Sequence, residues 1–193
     1  SPSEVARVEA LPRILAQGLR RLRYVSYGDA ERAARALAGR LSDELGKETL
    51  SRCRFAALPR GGLLVLGMLA YLLDLRADQV GVLADVGSDD HTLTGPLILV
   101  DDCALSGLRF AETLESVEAE SVVFAHLFSH PLLRETIRGR EKRVIACLAG
   151  GDLLDLGDEL LEDREEWEQR WRERSDGRAY WIGLPEHVCF PWN

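Results

Sequence analysis

Apolar residues along this chain follow two spacings, one typical of helices and one typical of buried strands. Residues 63–75 are apolar enough for a helix that packs on a sheet, whereas residues 97–100 are four apolar residues without alternation, as in a strand covered on both faces. The same reasoning predicts helices over 4–23, 26–46 and 108–117, and strands over 53–58, 80–84, 121–127 and 143–149. Ser26 is the predicted N-cap of the second helix and Gly46 its predicted end. Strands alternating with helices at this spacing predict an open, mostly parallel α/β sheet.

The segment 152–174 differs from the rest of the chain in its charge. It carries ten acidic and four basic residues, interspersed with five leucines and with Trp167 and Trp171. We predict a charged amphipathic helix here, which lies either on the surface of the domain or on a protein partner.

Composition narrows the class of protein. A chain of 193 residues that is 46% hydrophobic and 29% charged fits one folded domain and is too apolar for a disordered one. No apolar run reaches the roughly 18 residues that a membrane helix needs, and the first residues lack a signal-peptide pattern. We therefore expect a cytoplasmic protein without a membrane partner.

The net charge of −8 is unevenly distributed. Residues 1–60 contain 12 basic and 7 acidic side chains, whereas the remainder contains 12 basic and 25 acidic ones. Because the arginines of the first part are scattered through helical patterns rather than clustered with aromatic residues, we interpret them as solvated helix faces. No nucleic-acid partner is expected.

The four cysteines are widely and irregularly spaced and form no C-x-x-C motif. A chain of this length with an ordinary core does not need disulfides for stability, although their number does not exclude them. We expect buried free thiols in a reducing cytosol. The cysteine and histidine spacing predicts no zinc site.

The sharpest motif is the stretch Leu-Ile-Leu-Val-Asp-Asp-Cys-Ala-Leu-Ser-Gly-Leu-Arg at residues 97–109. A buried strand runs into the adjacent carboxylates of Asp101 and Asp102, and a loop of small residues leads into a helix. Ligands of open α/β sheets bind at the carboxyl ends of strands, and free N–H groups at a helix N-terminus favour a phosphate. Since carboxylates repel phosphate, we expect this pair to bind sugar hydroxyls, or a Mg²⁺ ion that it shares with those hydroxyls. The motif thus indicates a phosphorylated sugar, and no Walker lysine is present.

This motif resembles the phosphoribosyl-pyrophosphate (PRPP) signature of type I phosphoribosyltransferases, matching it at the strand, Asp101, Asp102, Ser106 and Gly107. Three other stretches resemble the xanthine-guanine branch of that family, in the family's order. They are Tyr-Val-Ser-Tyr at 24–27, Leu-Pro-Arg-Gly-Gly at 58–62, similar to the pyrophosphate loop, and His-Val-Cys-Phe-Pro-Trp-Asn at 187–193, similar to the closing motif.

The resemblance implies a type I phosphoribosyltransferase (Rossmann-like) α/β fold, in which helices flank a mostly parallel central sheet. The expected organisation is an N-terminal helical extension over 1–23 followed by a phosphoribosyltransferase-like domain over 24–193. Within that domain we expect a charged helical insertion at about 152–176 and a small hood at about 178–193.

The resemblance also implies roles for individual residues. Asp101 and Asp102 would bind the ribose hydroxyls of PRPP, with Mg²⁺ nearest Asp102, and both would count with Arg60 as catalytic residues. Arg60, Gly61 and Gly62 would face the pyrophosphate. The 5-phosphate would lie against Ala104, Leu105, Ser106, Gly107, Leu108 and Arg109.

The sequence departs from the family pattern in the phosphate loop. Leu105 replaces an aspartate that handles a base proton in 6-oxopurine enzymes, and leucine cannot move a proton. Arg109 replaces the last Thr/Ser of the motif, where its guanidinium could bind the phosphate or turn to solvent.

The base-binding side and the expected lid differ as well. His130 stands where the xanthine-guanine branch has a lysine that reads the base, and His187, beside Val188, stands where that branch has a stacking tryptophan. Trp181 offers a second register for the same motif. The segment 84–94, where a catalytic loop is expected, contains three aspartates and no lysine or arginine. The acceptor is therefore not expected to be an ordinary 6-oxopurine.

Two functions follow from these motifs. The first is an enzyme, a glycosyltransferase that moves the 5-phosphoribosyl group of PRPP to a nitrogenous base and releases pyrophosphate, with Mg²⁺ as cofactor. The alternative is a catalytically silent PRPP- or nucleotide-binding module that regulates or binds another protein, which the altered loop and the 152–174 segment favour. The resemblance also implies a homodimer.

Overall fold

A computed structural model of the protein describes residues 22–83, 93–161 and 163–192. The predicted helix over 4–23 and most of the segment 84–94 lie outside these residues, although Arg23, placed at the end of that helix by the sequence, belongs to a strand. The strands are β1 (Arg23–Tyr24), β2 (Arg54–Ala57), β3 (Val80–Val82), β4 (Leu97–Ala104), β5 (Val122–Ser129), β6 (Val144–Asp152) and β7 (Val188–Cys189). The helices are α1 (Tyr27–Leu50), α2 (Gly61–Leu72), α3 (Leu108–Glu115), α4 (Pro131–Arg140), α5 (Gly157–Leu160) and α6 (Arg164–Arg174), with a 3₁₀ turn at Ala77–Gln79.

Five strands form the central sheet in the order β3-β2-β4-β5-β6, and every pair is parallel. The strands β4 and β5 are almost fully buried, which agrees with their continuous apolar sequences. This confirms the predicted fold class of a mostly parallel α/β sheet flanked by helices.

Each face of the sheet carries its own hydrophobic core. One core contains Leu37 and Leu41 of α1 together with Val65 and Leu69 of α2. The other is built around Phe110 of α3, whose ring stacks on Phe124 at 4.2 Å, and around residues of α4. Helices on both faces are what a doubly wound parallel sheet requires to bury its apolar strands.

Helix α1 begins as predicted and ends later than predicted. The Ser26 side chain accepts a hydrogen bond from the backbone N–H of Asp29, whose carboxylate accepts from the Ser26 N–H in return. Gly46 has a positive φ of 73° and interrupts the helical geometry, yet the helix resumes and continues to Leu50. Gly46 is therefore a kink and not the end of the helix.

Helix α4 was absent from the sequence prediction. Its start carries two recognisable signals, since Pro131 is the first helical residue and the His130 Nδ1 accepts a hydrogen bond from the Leu132 N–H at 3.3 Å. A helix is also the usual crossover between two parallel strands such as β5 and β6.

The prediction of a charged helix over 152–174 is wrong in its extent. Strand β6 continues to Asp152, and the acidic segment then forms the short helix α5 and the separate helix α6. Arg164 joins them through ion pairs with Asp155, Asp158 and Glu168. No residue of α6 is buried.

Near the C-terminus the chain returns to the segment that precedes α1. Strands β1 and β7 pair in parallel, with Arg23 opposite Val188 and Tyr24 opposite Cys189. Hydrogen bonds from Arg23 N–H to His187 O at 2.8 Å and from Val25 N–H to Cys189 O at 2.9 Å extend the pair. The expected hood is thus a two-stranded ribbon, and Arg23 belongs to it rather than to the N-terminal extension.

All four cysteines are free thiols. Cys53 and Cys147 are buried as expected, whereas Cys103 and Cys189 are partly exposed. Among the described residues, no helix is both long enough and apolar enough to cross a membrane.

Candidate functional site

The sheet changes its winding direction between β2 and β4, because the chain moves outward to β3 on one side and to β5 and β6 on the other. Crevices at such a switch point are the usual ligand sites of open α/β sheets. A cavity of about 530 Å³ lies there. Its walls are formed by Arg60, Gly61, Phe124, Val188, Phe190, Trp192 and the continuous segment 101–110.

The first wall is the turn from β2 into α2. Arg60 has a φ of 72°, a left-handed conformation that costs a non-glycine residue free energy. Its side chain is exposed and makes no hydrogen bond or ion pair with the described residues. Helix α2 has no side-chain cap and no acidic residue in its first turn. An uncapped helix N-terminus beside a free guanidinium attracts anions.

Gly61 and Gly62 allow this turn to approach β4 closely. A Cβ at Gly61 would overlap the carboxyl group of Asp102, and a Cβ at Gly62 would overlap the carbonyl oxygen of Val100. Gly61 lines the cavity, whereas Gly62 is buried behind it and is not among the lining residues. Of the two glycines predicted to face the pyrophosphate, the cavity is therefore lined by Gly61 and not by Gly62.

Asp101 is a buried residue that lines the cavity. Its Oδ1 accepts a hydrogen bond from the Asp102 N–H at 2.9 Å, and Arg109 forms an ion pair with it at 3.4 Å. Burial, followed by the negative charge of Asp102, raises the pKa of Asp101 to about 7, although Arg109 opposes the shift. A buried carboxyl group with a strongly raised pKa in a crevice is typical of functional sites.

Asp102 follows Asp101 in β4, lines the same cavity and is partly exposed. Its Oδ2 accepts a hydrogen bond from the Trp192 indole Nε1–H at 3.1 Å. Gly61 and Trp192 thus contact the same carboxyl group, one from helix α2 and the other from the segment after β7.

The turn from β4 into α3 forms another wall of the cavity. Strand β4 continues through both aspartates to Ala104, which pairs with Ser129, so the loop is restricted to residues 105–107. The strand predicted from the sequence ends earlier, at Val100. Gly107 has a φ of 76° and precedes α3 without a side-chain cap. A second uncapped helix N-terminus therefore opens on the cavity.

Tyr180 and Trp181 hold this loop in place. The backbone oxygen of Ser106 accepts hydrogen bonds from the N–H groups of Tyr180 at 2.9 Å and Trp181 at 3.4 Å. A Cβ at Gly107 would lie 2.7 Å from the Tyr180 ring. The Ser106 hydroxyl accepts from the Leu108 N–H at 3.4 Å, and the Leu105 side chain is exposed at the cavity edge.

The candidate base-binding residues are divided between two places. Val188 lines the cavity. Trp181 is buried in the core and stacks on the His130 ring at 4.3 Å, and neither residue lines the cavity, nor does His187. The structure therefore brings one of these four residues into the cavity with the aspartates.

Phe124, Phe190 and Trp192 line the cavity although the sequence analysis did not select them as site residues. Trp192 stacks on Phe190 at 4.9 Å and contacts the Tyr27 ring at 5.9 Å. The closing Phe-Pro-Trp motif was the available signal for two of them. Phe124 lies within a buried strand and gives no signal of its own.

His126 lies in β5 directly opposite Asp101 in the sheet. It is fully buried, and neither ring nitrogen has a hydrogen-bond partner among the described residues. Burial lowers the pKa of His126 to about 3, so the imidazole is neutral at physiological pH. No sequence motif includes His126.

Neither protein-family models nor curated proteins match this chain. Solved structures do match it. The xanthine-guanine-hypoxanthine phosphoribosyltransferase of Helicobacter pylori superposes with a TM-score of 0.52 at 14% identity, covering 89% of this chain and 91% of its own. A purine phosphoribosyltransferase of Pyrococcus horikoshii gives 0.44 at 17% identity, covering 89% and 93%.

The Helicobacter pylori structure carries the argument for the fold. It matches over nearly the whole of both chains, and the central sheet is five-stranded and parallel. The chain therefore has the type I phosphoribosyltransferase-like fold.

Proposed function

We propose that the protein binds PRPP in this cavity and transfers its 5-phosphoribosyl group to a nitrogenous base, with release of pyrophosphate. The observation that carries the proposal is the arrangement of three features around one cavity. Two uncapped helix N-termini, those of α2 and α3, flank the adjacent carboxyl groups of Asp101 and Asp102. A ligand with two anionic ends and hydroxyls between them matches that order.

The two ends of PRPP would occupy the two helix N-termini. The 5-phosphate would accept hydrogen bonds from the loop of residues 105–107 and the first turn of α3. The pyrophosphate would lie against Gly61 and the Arg60 guanidinium, which has no described partner that would have to be displaced. The ribose hydroxyls would donate to the carboxyl groups of Asp101 and Asp102.

Mg²⁺ suits this donor set when the ligand supplies most of the oxygens. The described residues contain no group of three or more side chains able to hold a metal ion. Mg²⁺ commonly binds through one or two carboxylates together with phosphate oxygens and water, and Asp102 would provide that carboxylate. When bound, the ion neutralises charge on the departing pyrophosphate.

Part of the cavity lining is apolar. Leu105, Val188 and Phe190 line the cavity, and the charged groups among the described lining residues are Arg60, Asp101, Asp102 and Arg109. Leu105 cannot accept a proton from a base. This supports an acceptor other than an ordinary 6-oxopurine.

In the proposed reaction a nitrogen atom of the acceptor forms a bond to C1 of the ribose while the C1–O bond to pyrophosphate breaks. The bonding electrons leave with pyrophosphate, and positive charge develops on the ribose ring. The carboxylates of Asp101 and Asp102 would stabilise this charge.

Calorimetric titration with PRPP, with and without Mg²⁺, tests the binding step. We expect binding that depends on Mg²⁺ and is lost in the double variant Asp101→Asn/Asp102→Asn. Absence of binding to the native protein would overturn the proposal.

The silent binding module remains the second candidate, because Leu105 and Arg109 replace residues that the family uses. Pyrophosphate release with a panel of nitrogenous bases separates the two functions. Release with any base excludes the module, whereas PRPP binding without turnover favours it. A protein partner captured through α5 and α6 would favour the module further.

We also propose that the protein is a homodimer, as the resemblance implies, and a cytoplasmic protein, as its free thiols favour. Sedimentation of the full chain measures the oligomeric state, and a monomer at micromolar concentration would contradict this part of the proposal.

A further inference from the structure

We propose that Trp192 is a positioning residue for the ribose site: its indole N–H holds the Asp102 carboxylate in the orientation that accepts the ribose hydroxyls. This inference rests on the proposed function. It concerns a residue that does not itself need to contact the reacting atoms.

The geometry of Asp102 supports such a role. Its Oδ2 accepts from the Trp192 Nε1–H at 3.1 Å, and within the described ranges this indole is the one N–H donor to the carboxylate. The same oxygen also lies against Gly61, where a Cβ would overlap it. The hydrogen bond and this close contact together restrict the rotation of the carboxylate.

Trp192 is itself held firmly. Its ring stacks on Phe190 at 4.9 Å with an interplanar angle of 17°, and it contacts Tyr27 at 5.9 Å. Phe190 is buried and follows β7 directly, while Tyr27 is the first residue of α1. The pairing of β1 with β7 therefore fixes both neighbours of the indole relative to the sheet.

The chemistry of indole suits this position. Indole donates one hydrogen bond and carries no charge, so it stabilises negative charge on Oδ2 without forming an ion pair that competes with a ligand. A carboxylate can accept about four hydrogen bonds, which leaves acceptor sites for hydroxyls. The adjacent Asp101 forms an ion pair with Arg109, and Trp192 donates to Asp102 alone of the two carboxyl groups.

The test compares Trp192→Phe with the native chain in calorimetric titrations with PRPP and Mg²⁺ and, separately, with inorganic pyrophosphate. Phenylalanine keeps an aromatic ring against Phe190 and Tyr27 but has no N–H. We expect PRPP to bind about tenfold more weakly, as for loss of a hydrogen bond to a charged group. The affinity for pyrophosphate, which lacks a ribose, should change less than twofold.

A double-mutant cycle shows whether Trp192 acts through Asp102. In an Asp102→Asn background, Trp192→Phe should cause no further loss of PRPP affinity. Trp171→Phe, on helix α6 and outside the cavity, is the matched control and should bind PRPP as the native chain does. Equal PRPP affinity of the Trp192→Phe and native proteins overturns the inference. Failure of the native protein to bind PRPP overturns the proposed function instead.

If Trp192→Phe does not fold, proton exchange in the native chain gives a second readout. The Trp192 indole N–H should exchange with water at least tenfold more slowly than free indole, because it is hydrogen-bonded to Asp102. Exchange as fast as in free indole would overturn the inference.

Discussion

The α-carbon of Gly61 lies directly against the carboxyl group of Asp102, so that the first residue of α2 and the sixth residue of β4 leave no room for a side chain between them. This contact joins the two halves of the cavity, because Gly61 belongs to the proposed pyrophosphate wall and Asp102 to the proposed ribose site.

Gly61→Ala should displace the Asp102 carboxyl group and weaken PRPP binding by tenfold or more. Overpacking at a tight contact costs about 1–3 kcal/mol, so the free energy of unfolding should fall by that amount. Urea denaturation and calorimetry measure the two effects.

Gly67→Ala is the matched control in the same helix. No atom lies within 4 Å of a Cβ at that position. Alanine stabilises a helix interior by about 1 kcal/mol relative to glycine, so this variant should be more stable and bind PRPP normally. Equal behaviour of the two variants would contradict the role of the Gly61 contact.

Arg60→Gly should increase stability and reduce anion binding at the same time. The φ of 72° at Arg60 is unfavourable for arginine and allowed for glycine, so the free energy of unfolding should rise by about 1 kcal/mol. The affinity for pyrophosphate should fall about tenfold, since the guanidinium is lost. Arg60→Lys keeps the positive charge and the unfavourable backbone φ. It should therefore bind pyrophosphate more tightly than Arg60→Gly and should not be more stable than the native chain.

Asp101 and His126 should affect stability in opposite directions as the pH changes. The pKa of Asp101 is raised to about 7, and the pKa of His126 is lowered to about 3. Between about pH 4 and 6.5 the folded chain keeps a proton on Asp101 that the unfolded chain releases, so this group makes stability fall as pH rises. His126 is protonated only in the unfolded chain there, so it makes stability rise. Each slope is at most about 1.4 kcal/mol per pH unit.

Two variants separate these contributions. In Asp101→Asn the remaining His126 should make the free energy of unfolding increase from pH 4.5 to 6.5. In His126→Gln the remaining Asp101 should make it decrease over the same range and up to pH 7. Urea denaturation at several pH values measures both slopes, and identical pH profiles of the two variants would contradict the prediction.

Arg109→Ser should change both the carboxyl group and the phosphate loop. The positive charge of Arg109 lowers the pKa of Asp101, so its removal should raise that pKa further, as carboxyl ¹³C NMR would record. If the guanidinium also contacts the 5-phosphate, ribose 5-phosphate should bind about tenfold more weakly. An unchanged affinity for ribose 5-phosphate would show that Arg109 interacts with Asp101 and not with the phosphate.

The central sheet could be predicted because its strands are continuous apolar runs. The limits of β4 could not, since two adjacent aspartates resemble a loop in sequence, and only the continued pairing with β5 shows that the strand reaches Ala104. The sequence signal for helix α4 is Pro131, because proline is common at the first position of a helix.

Local sequence motifs predict Asp101, Asp102 and Arg60 as site residues, and all three line one cavity. The Trp192–Asp102 hydrogen bond joins residues 90 positions apart, and no spacing rule predicts it. His126 could not be predicted as a site residue for a related reason. Its position opposite Asp101 depends on the pairing of β5 with β4, which the local sequence around the histidine does not show.

The parallel pairing of β1 with β7 joins the two ends of the described chain. Contacts between distant segments form slowly, because closing a long loop costs chain entropy before the contact contributes free energy. The five-stranded sheet pairs without this ribbon, whereas one hydrophobic core includes Val25 and Phe190 beside it and the cavity wall includes Trp192 after it. Opening of the ribbon would therefore remove a wall of the cavity and loosen that core at the same time. Loss of ligand binding and loss of stability would accompany each other.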